Sequence, residues 1–352
     1  MKNYTALHLQ KDDVVFEVDG ETTWKSEKQV VFPRYAIGEN KKENIVLHWR
    51  DLIDELPVIR QNMKFSERLG RFTIEWNPND KKLKHYNPIK KLALLRKSEK
   101  RPFYLQINNL CDVLAQIGID TNKLGIRGSL LIDKYNKKSS DIDLLIYGRE
   151  NKETLYNNLE EFYKNPHISS LLSNKQITEE LYLRRRDHFP DINRKYFLLH
   201  ERRRVQGIID GKTRFVFSII EETVEKSPTK KIIPVTPASI IGKVIDSTDA
   251  FYDPARMQVE LRKLSFSNSR SDARLKAEAA KNVHKGDTVR IETYGDPICA
   301  VAIFPGDIVR INGVLEKVET TEEKESYQLA IRPIDNFTKQ IKIVKSIGKS
   351  LW

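Results

Sequence analysis

Alternating apolar and polar positions predict short β-strands at both ends of the chain. In the first hundred residues, such strands are expected at 14–18, 30–32 and 71–76, with a helix over 51–63 that Pro57 breaks. The C-terminal third predicts five more, at 240–245, 288–292, 300–303, 307–318 and 327–331. Short strands separated by Gly-Asp and Asn-Gly turns are typical of a small barrel, here one that is OB-like.

The middle of the chain predicts helices as well as strands. Helical spacing of apolar residues runs over 104–117, where Gly118 can end the helix, and over 153–163. The stretches 205–209 and 213–220 read as two strands joined by Asp210-Gly211, a strong hairpin signal. The pattern as a whole favours an α+β fold.

A Gly-Ser turn and an Asp-x-Asp strand carry the candidate chemistry. Gly128 lets backbone amides approach an anion, Ser129 adds a hydroxyl donor, and the residues from 130 to about 135 suit a short helix. Amides at a helix N-terminus favour phosphate. The segment 141–147 is apolar apart from Asp141 and Asp143, which predicts a buried strand with both carboxylates on one face. Two such carboxylates suit Mg²⁺ or Mn²⁺.

Gly128-Ser129 followed by Asp141-Ile142-Asp143-Leu144 resembles the signature of the polymerase-beta-like nucleotidyltransferase superfamily. More faintly, the chain is similar to a group of archaeal predicted nucleotidyltransferases, through 124–150, 200–204 and 305–313. The resemblance implies a nucleotidyltransferase core, a bound divalent metal and a nucleoside triphosphate. It makes Asp141 and Asp143 the metal ligands and catalytic residues, and Gly128 and Ser129 the triphosphate cradle; Arg127 is a further candidate for nucleotide contact.

The chain departs from this superfamily at the third carboxylate. By the family's pattern, that residue would fall at Val216, in the predicted strand 213–220, and valine cannot bind metal. Ser218 shares the face of Val216 but is a poor substitute. The other nearby acids have ordinary explanations: Asp210 as a turn residue, Glu201 as an ion-pair partner in a basic run, and Glu221 and Glu222 as solvated residues.

A formal net charge of +12 favours polyanionic partners. Basic residues cluster between 184 and 204, interleaved with aromatic residues, and the cluster can contact phosphates and stack on bases. A charged helix face with core aromatics is the alternative. The candidate nucleic-acid ligands are Arg184, Arg185, Arg186, Arg202, Arg203 and Arg204.

Composition and boundary signals predict several domains. We expect a β-rich module over 1–98, a nucleotidyltransferase domain over 99–230, a barrel over 231–334 and a basic tail over 335–352. Pro228 and the prolines at 234 and 237 mark a boundary. A basic insertion over 261–285, with a helix capped by Ser271, is expected to interrupt the barrel as a mobile arm or a solvated helix.

Three possible functions follow from the sequence. The first is an enzyme that transfers a nucleoside monophosphate to a hydroxyl, with RNA favoured as the acceptor on charge grounds. The second is a binding protein for RNA or a ribonucleoprotein, built on an inactive nucleotidyltransferase fold; a role in protein nucleotidylation or a toxin–antitoxin system is a third possibility. The two cysteines exclude a disulfide framework, and no signal peptide or 18-residue apolar run occurs, which predicts a cytoplasmic protein without a membrane partner.

Overall fold

The protein is a mixed α+β chain that divides into two compact units. A computed structural model describes residues 6–9, 14–18, 29–37, 42–44, 56–66, 71–77, 80–97, 102–135, 140–188, 194–203, 205–220, 229–250, 255–267, 272–293, 303–322, 325–331 and 341–345. The first unit comprises Met1–Phe65, Phe72–Ser173 and Val205–Ser227. The second comprises Ser66–Arg71, Asn174–Arg204 and Pro228–Trp352.

The first sheet has seven strands, all within the first hundred residues. Its strands are β1 Ala6–Leu9, β2 Val14–Val18, β3 Gln29–Ile37, β4 Lys42–Asn44, β5 Met63–Ser66, β6 Arg71–Trp76 and β7 Leu83–Tyr86. The strands predicted at 14–18 and 71–76 have these bounds in the structure. The predicted helix begins at Pro57 (α1, Pro57–Asn62), because proline is favoured in the first helical turn, where its missing N–H costs nothing. Ile59 anchors α1 on the apolar face of the sheet.

The second sheet has five strands and carries the Asp-x-Asp segment. Its strands are β8 Leu124–Ile126, β9 Ile142–Tyr147, β10 Ile168–Ser170, β11 Gln206–Ile209 and β12 Thr213–Ile220, in the order β10-β11-β12-β9-β8. Only the pairing of β12 with β9 is parallel. The helices of this region are α2 Pro88–Arg96, α3 Pro102–Gln116, α4 Gly128–Leu131, α5 Arg149–Asn157 and α6 Leu159–Lys164.

The two faces of the five-stranded sheet are covered differently. On one face, Phe162 of α6 packs edge-on against Phe215 and Phe217 of β12, with ring centroids 5.9 and 5.7 Å apart. On the other, Ile89 of α2 packs against a buried cluster at the carboxyl ends of β9 and β12. Helix α2 therefore serves this sheet, although it falls within the 1–98 module of the sequence analysis. The helix expected over 153–163 is two helices that meet at Asn158.

The third sheet closes into a ring in the second unit. Its strands are β13 Thr229–Asp246, β14 Ala255–Phe266, β15 Thr288–Thr293, β16 Ile308–Thr320, β17 Glu325–Ile331 and β18 Ile341–Lys345. The order β13-β14-β15-β17-β16 is closed by pairing of β13 with β16, and β18 adds to β16. Inward-facing residues of all five ring strands form one buried core. Five strands were expected, but residues 294–302, which include most of the strand predicted at 300–303, lie outside the described ranges.

The prolines and the expected insertion lie within the barrel itself. The second unit resumes at Pro228, whereas Pro234 and Pro237 are residues of β13: both pair with β16, and the pairing with β14 begins at Ala238. The first residues of the supposed insertion form β14. The helix there, α9 (Ala273–Asn282), buries Ala279 in the barrel core, so it is neither a mobile arm nor a fully solvated helix.

The cap of α9 also differs from the prediction. Asp272, and not Ser271, caps the helix, because its carboxylate accepts hydrogen bonds from the amides of Arg274 and Leu275. Part of the basic tail forms β18, paired with the start of β16. Helices α7 (Lys175–His188) and α8 (Arg194–Arg203) complete the second unit. Across the described ranges, no helix is long and apolar enough to cross a membrane.

Candidate functional site

Strand β9 places the two aspartates at the amino end of the central parallel pair. Ile142 and Leu144 are fully buried toward the helix-covered face, whereas Asp141 and Asp143 are half-buried. Since side chains alternate along a strand, Asp143 projects from the opposite face. Ile89 of helix α2 packs at the far end of that face. Asp141 directly precedes the strand, so the shared orientation of the two carboxylates stays a prediction.

The Gly-Ser turn meets Asp143 directly. The Arg127 amide donates to the Asp143 carbonyl at 2.9 Å, which ties the turn to β9. Gly128 has φ +68°, in the left-handed region that favours glycine. A Cβ at Gly128 would lie 2.4 Å from Oδ2 of Asp143. Glycine is therefore needed here for two reasons, the backbone conformation and the space that the Asp143 carboxylate occupies.

The helix after the turn is shorter than expected. It spans only Gly128–Leu131, and Asp133 at φ 59° lies in the left-handed conformation that breaks the helical path predicted to continue to about residue 135. Ser129 is 7% exposed, and its Oγ lies 3.4 Å from Oγ of Ser140, the residue before Asp141. The two serines thus connect the turn to the start of β9.

Arg127 lies across the same face of the sheet. Its position continues the antiparallel register of β8 with β9, in which Ile126 pairs with Leu144, so Arg127 stands beside Asp143. Its Nη1 donates to Oγ of Ser218 on β12 at 3.2 Å. Ser218 is thus a hydrogen-bond acceptor for Arg127, and this contact holds the guanidinium over the aspartate-bearing face.

Val216 occupies the position next to Asp143 on the neighbouring strand. The two residues are direct partners in the parallel pairing of β12 with β9, and Val216 is 8% exposed. Their side chains share one face, because partners in a β-ladder project to the same side. Arg214, two residues earlier, belongs to this face too. Among the residues with described positions, no group of three or more His, Cys, Asp or Glu could hold a metal ion.

Among the alternative acids, Asp210 has partners of its own in the described structure. Asp210 is a turn residue at φ 53°, held by His167 at 2.6 Å and by Asn109 at 3.0 Å. The predicted hairpin is confirmed, with β11 and β12 joined by Asp210-Gly211. Glu201 is buried on α8 in the second unit. Glu221 and Glu222 lie outside the described residues.

The basic cluster forms two helices of the second unit. Arg184, Arg185 and Arg186 lie on α7, Arg202 and Arg203 on α8, and Arg204 falls outside the described residues. Phe197 is fully buried, with its ring 5.3 Å from that of Tyr182. The guanidinium carbons of Arg186 and Arg194 lie 5.9 and 5.7 Å from the Tyr182 ring centroid. These two aromatic residues serve the contact between the helices, as the alternative interpretation of the cluster expects.

Comparison with known proteins adds one distant relative. No protein-family profile matches the chain. An uncharacterized protein of Methanocaldococcus jannaschii is 26% identical over 157 residues, which are 42% of this chain and 43% of that protein. The chain therefore matches less than half of the length of this relative.

Three features of the site could not be found from sequence reasoning. These are the contact of Gly128 with Asp143, the Arg127–Ser218 hydrogen bond and the Ser129–Ser140 contact. Each joins residues whose proximity depends on strand register. The only signal in the sequence was the glycine itself, which sequence reasoning assigned to phosphate approach.

Proposed function

We propose that this protein is a metal-dependent nucleotidyltransferase that moves a nucleoside monophosphate from a nucleoside triphosphate to a hydroxyl acceptor, with RNA as the favoured acceptor. The observation that carries the proposal is the position of Asp143. It stands on the central strand, its carboxylate fills the space that Gly128 leaves, Arg127 lies beside it, and Asp141 directly precedes the strand.

Asp141 and Asp143 would hold the Mg²⁺ or Mn²⁺ ion. Mg²⁺ commonly binds proteins through one or two carboxylates, with waters and substrate phosphates as its other ligands. A site with two carboxylates fits that mode, whereas it does not fit an all-protein cage. When bound, the ion would neutralise charge on the triphosphate and activate the attacking hydroxyl.

Charge on this face favours a metal that arrives together with a nucleotide. Two aspartates and two arginines, Arg127 and Arg214, give it a formal charge near zero, so a free cation gains little net attraction. A metal–triphosphate complex offers both an ion for the carboxylates and oxygens for the guanidiniums, which suit phosphate geometry. Arg127 would orient the triphosphate while the acceptor hydroxyl attacks the α-phosphorus and pyrophosphate leaves.

A second candidate is an RNA-binding protein with an inactive site. Val216 favours this reading, since the residue beside Asp143 can neither bind metal nor accept a proton. The closed five-stranded ring supports the OB-like interpretation of the barrel, an architecture that binds oligonucleotides in many proteins. In this reading, the basic residues of α7, α8 and the barrel would contact RNA without any transfer.

Label transfer separates the two candidates. Each of the four α-labelled nucleoside triphosphates is incubated with the protein, Mg²⁺ or Mn²⁺, and total RNA, and both RNA and protein are examined for label. Asp141→Asn and Asp143→Asn remove the charge while keeping the shape. Asp112→Asn, at an exposed aspartate of α3 that pairs with Arg96, is the matched control.

The enzyme proposal expects incorporation that the control retains and that either site variant lowers by at least about 100-fold, as for loss of a charged transition-state contact. If no label appears under any condition, and the unaltered protein and the three variants bind RNA equally, the enzyme proposal fails and the RNA-binding proposal remains. Incorporation that survives in both site variants would place the chemistry elsewhere.

A further inference from the structure

A β-bulge in the barrel gathers positive charge on its outer surface. In the pairing of β13 with β14, Ile241 is opposite Lys263 and Gly242 is opposite Leu261, so Arg262 is the extra residue. Bulges redirect side chains, and here two consecutive basic residues are both exposed. Their apolar neighbours Leu261 and Leu264 pack on the core side, which leaves Arg262 and Lys263 on the outside.

Strand β16 extends this charge across the sheet. Arg310 is opposite Ile241 on the other edge of β13, and it is exposed between Val309 and Ile311, which both point into the core. A row of positions perpendicular to the strands therefore runs from Lys263 through Ile241 to Arg310. The register of β18 continues the row with Lys342.

The neighbouring positions complete a surface suited to a polyanion. One row away, Ser265, Ser239 and Asn312 are paired across the same three strands, and all three are uncharged. On the other side, exposed Lys243 is opposite Glu260, the one acid within 239–243, 260–265 and 308–312.

The cations of this surface are not neutralised by the described part of the protein. Arg262, Lys263, Arg310 and Lys243 form no ion pair with any carboxylate whose position is described. Elsewhere in the same barrel, Lys317 pairs with both Glu278 and Glu325 at 2.8 Å, and Arg256 pairs with Glu292 at 3.1 Å. Lys263 and Arg310 lie on strands about 9.6 Å apart across β13, and cations at such spacings can each meet a phosphate of a flexible single strand.

We propose that the outer face of β14, β13 and β16, centred on Arg262, Lys263 and Arg310, binds the phosphate backbone of single-stranded RNA. Arg262 and Lys263 contact adjacent phosphates, and Arg310 contacts a further one across β13. The hydroxyl groups of Ser239 and Ser265 in the neighbouring row contact ribose. This inference rests on the proposed function, because it locates where the RNA binds. It applies whether the protein is an enzyme or a binding protein.

Salt-dependent binding tests the surface without reference to catalysis. The probe is a labelled single-stranded RNA of about 20 nucleotides, longer than the roughly 4–16 nucleotides that one such barrel covers. Anisotropy gives its Kd over a range of salt concentrations, in the absence of nucleotide and divalent metal. The test variant is Arg262→Gln/Lys263→Gln/Arg310→Gln, in the full chain.

A matched control removes the same charge from the same unit. Arg274, Lys281 and Lys285 are exposed on or just after α9. Their triple replacement by Gln therefore changes the net charge equally, without touching the bulge. Circular dichroism and thermal unfolding of both variants establish that the barrel remains folded.

The proposal expects the slope of log K against log salt to fall by about 2 in the test variant, because each lost phosphate contact removes about 0.7 for a single strand. At 0.1 M salt this is a loss of about 100-fold in affinity. The control should retain the slope and lose less than about threefold, since these screened charges act only through the general field.

Equal losses in the two variants, or no RNA binding by the unaltered protein, would overturn the inference. Label transfer by the same variants keeps it distinct from the proposed function. If RNA binding depends on the bulge but no transfer occurs under any condition, only the enzyme proposal is refuted. If transfer to RNA occurs and the test variant binds RNA with unchanged affinity, only the proposed RNA-binding surface is refuted.

Discussion

The contact between Gly128 and Asp143 makes the most direct prediction about the site. In Gly128→Ala, the new Cβ would lie 2.4 Å from Oδ2 of Asp143, and real Cβ atoms essentially never approach closer than 3.0 Å, so the carboxylate must move by at least 0.6 Å. The alanine must also adopt φ +68°, which costs about 1–2 kcal/mol for a residue with a Cβ. Displacing Asp143 from its rotamer adds about 0.5–1.5 kcal/mol.

Gly211 separates these two costs. It has φ +65°, and a Cβ there would meet nothing within 4 Å, so Gly211→Ala should show the backbone cost alone. Urea unfolding of both variants measures the two free energies. We expect Gly128→Ala to be the more destabilising by about 0.5–1.5 kcal/mol, and to lose label transfer as Asp143→Asn does, because the carboxylate is displaced.

A double-mutant cycle attributes the difference to the carboxylate. In an Asp143→Ala background, the Cβ at Gly128 has no oxygen to displace, so the extra cost should disappear while the backbone cost stays. The reasoning would be refuted if Gly128→Ala and Gly211→Ala cost the same, or if the excess persisted without the Asp143 carboxylate. Retained transfer activity in Gly128→Ala would refute the positioning of Asp143 as well.

Three further predictions follow from the described packing. Val216→Asp should place a third carboxylate beside Asp143, and at about 5 Å with an effective dielectric constant of 20 the two charges repel by about 3 kcal/mol. Urea unfolding should therefore show a loss of stability that Mg²⁺ with a nucleoside triphosphate reverses. An unchanged response to Mg²⁺ would contradict the site. Asp272→Ala should cost about 0.5–2 kcal/mol in the same assay by uncapping α9, whereas Asp272→Asn, which keeps an acceptor oxygen, should cost little; equal costs would argue against the cap. Burial raises the pKa of the Cys111 thiol to about 12. In a Cys299→Ser variant, Cys111 should therefore stay unreactive toward a disulfide reagent at pH 8 until the protein unfolds. Fast labelling of the native protein would show that helix α3, which carries Cys111, is not packed as described.

Several elements follow from the sequence alone because their signals are local. The strands at 14–18, 71–76 and 213–220 have the predicted bounds, and the Asp210-Gly211 turn joins the predicted hairpin. Alternation along β9 is also enough to place Asp143 on the face opposite Ile142 and Leu144. In each case the deciding interactions lie within one strand or one turn, so a window of a few residues contains the information.

The tertiary structure decides the features that depend on register between distant segments. Gly128 faces Asp143, Val216 stands beside it, and Arg127 reaches Ser218 only because β8, β9 and β12 pair as they do. In the barrel, Pro234 and Pro237 lie inside β13, in the half of the strand that pairs with β16, and the pairing with β14 begins at Ala238. The bulge at Arg262 likewise exists only in relation to β13. Hydrophobic pattern determines which residues can face a core, but register sets which side chains meet across it, and register is a property of two strands together.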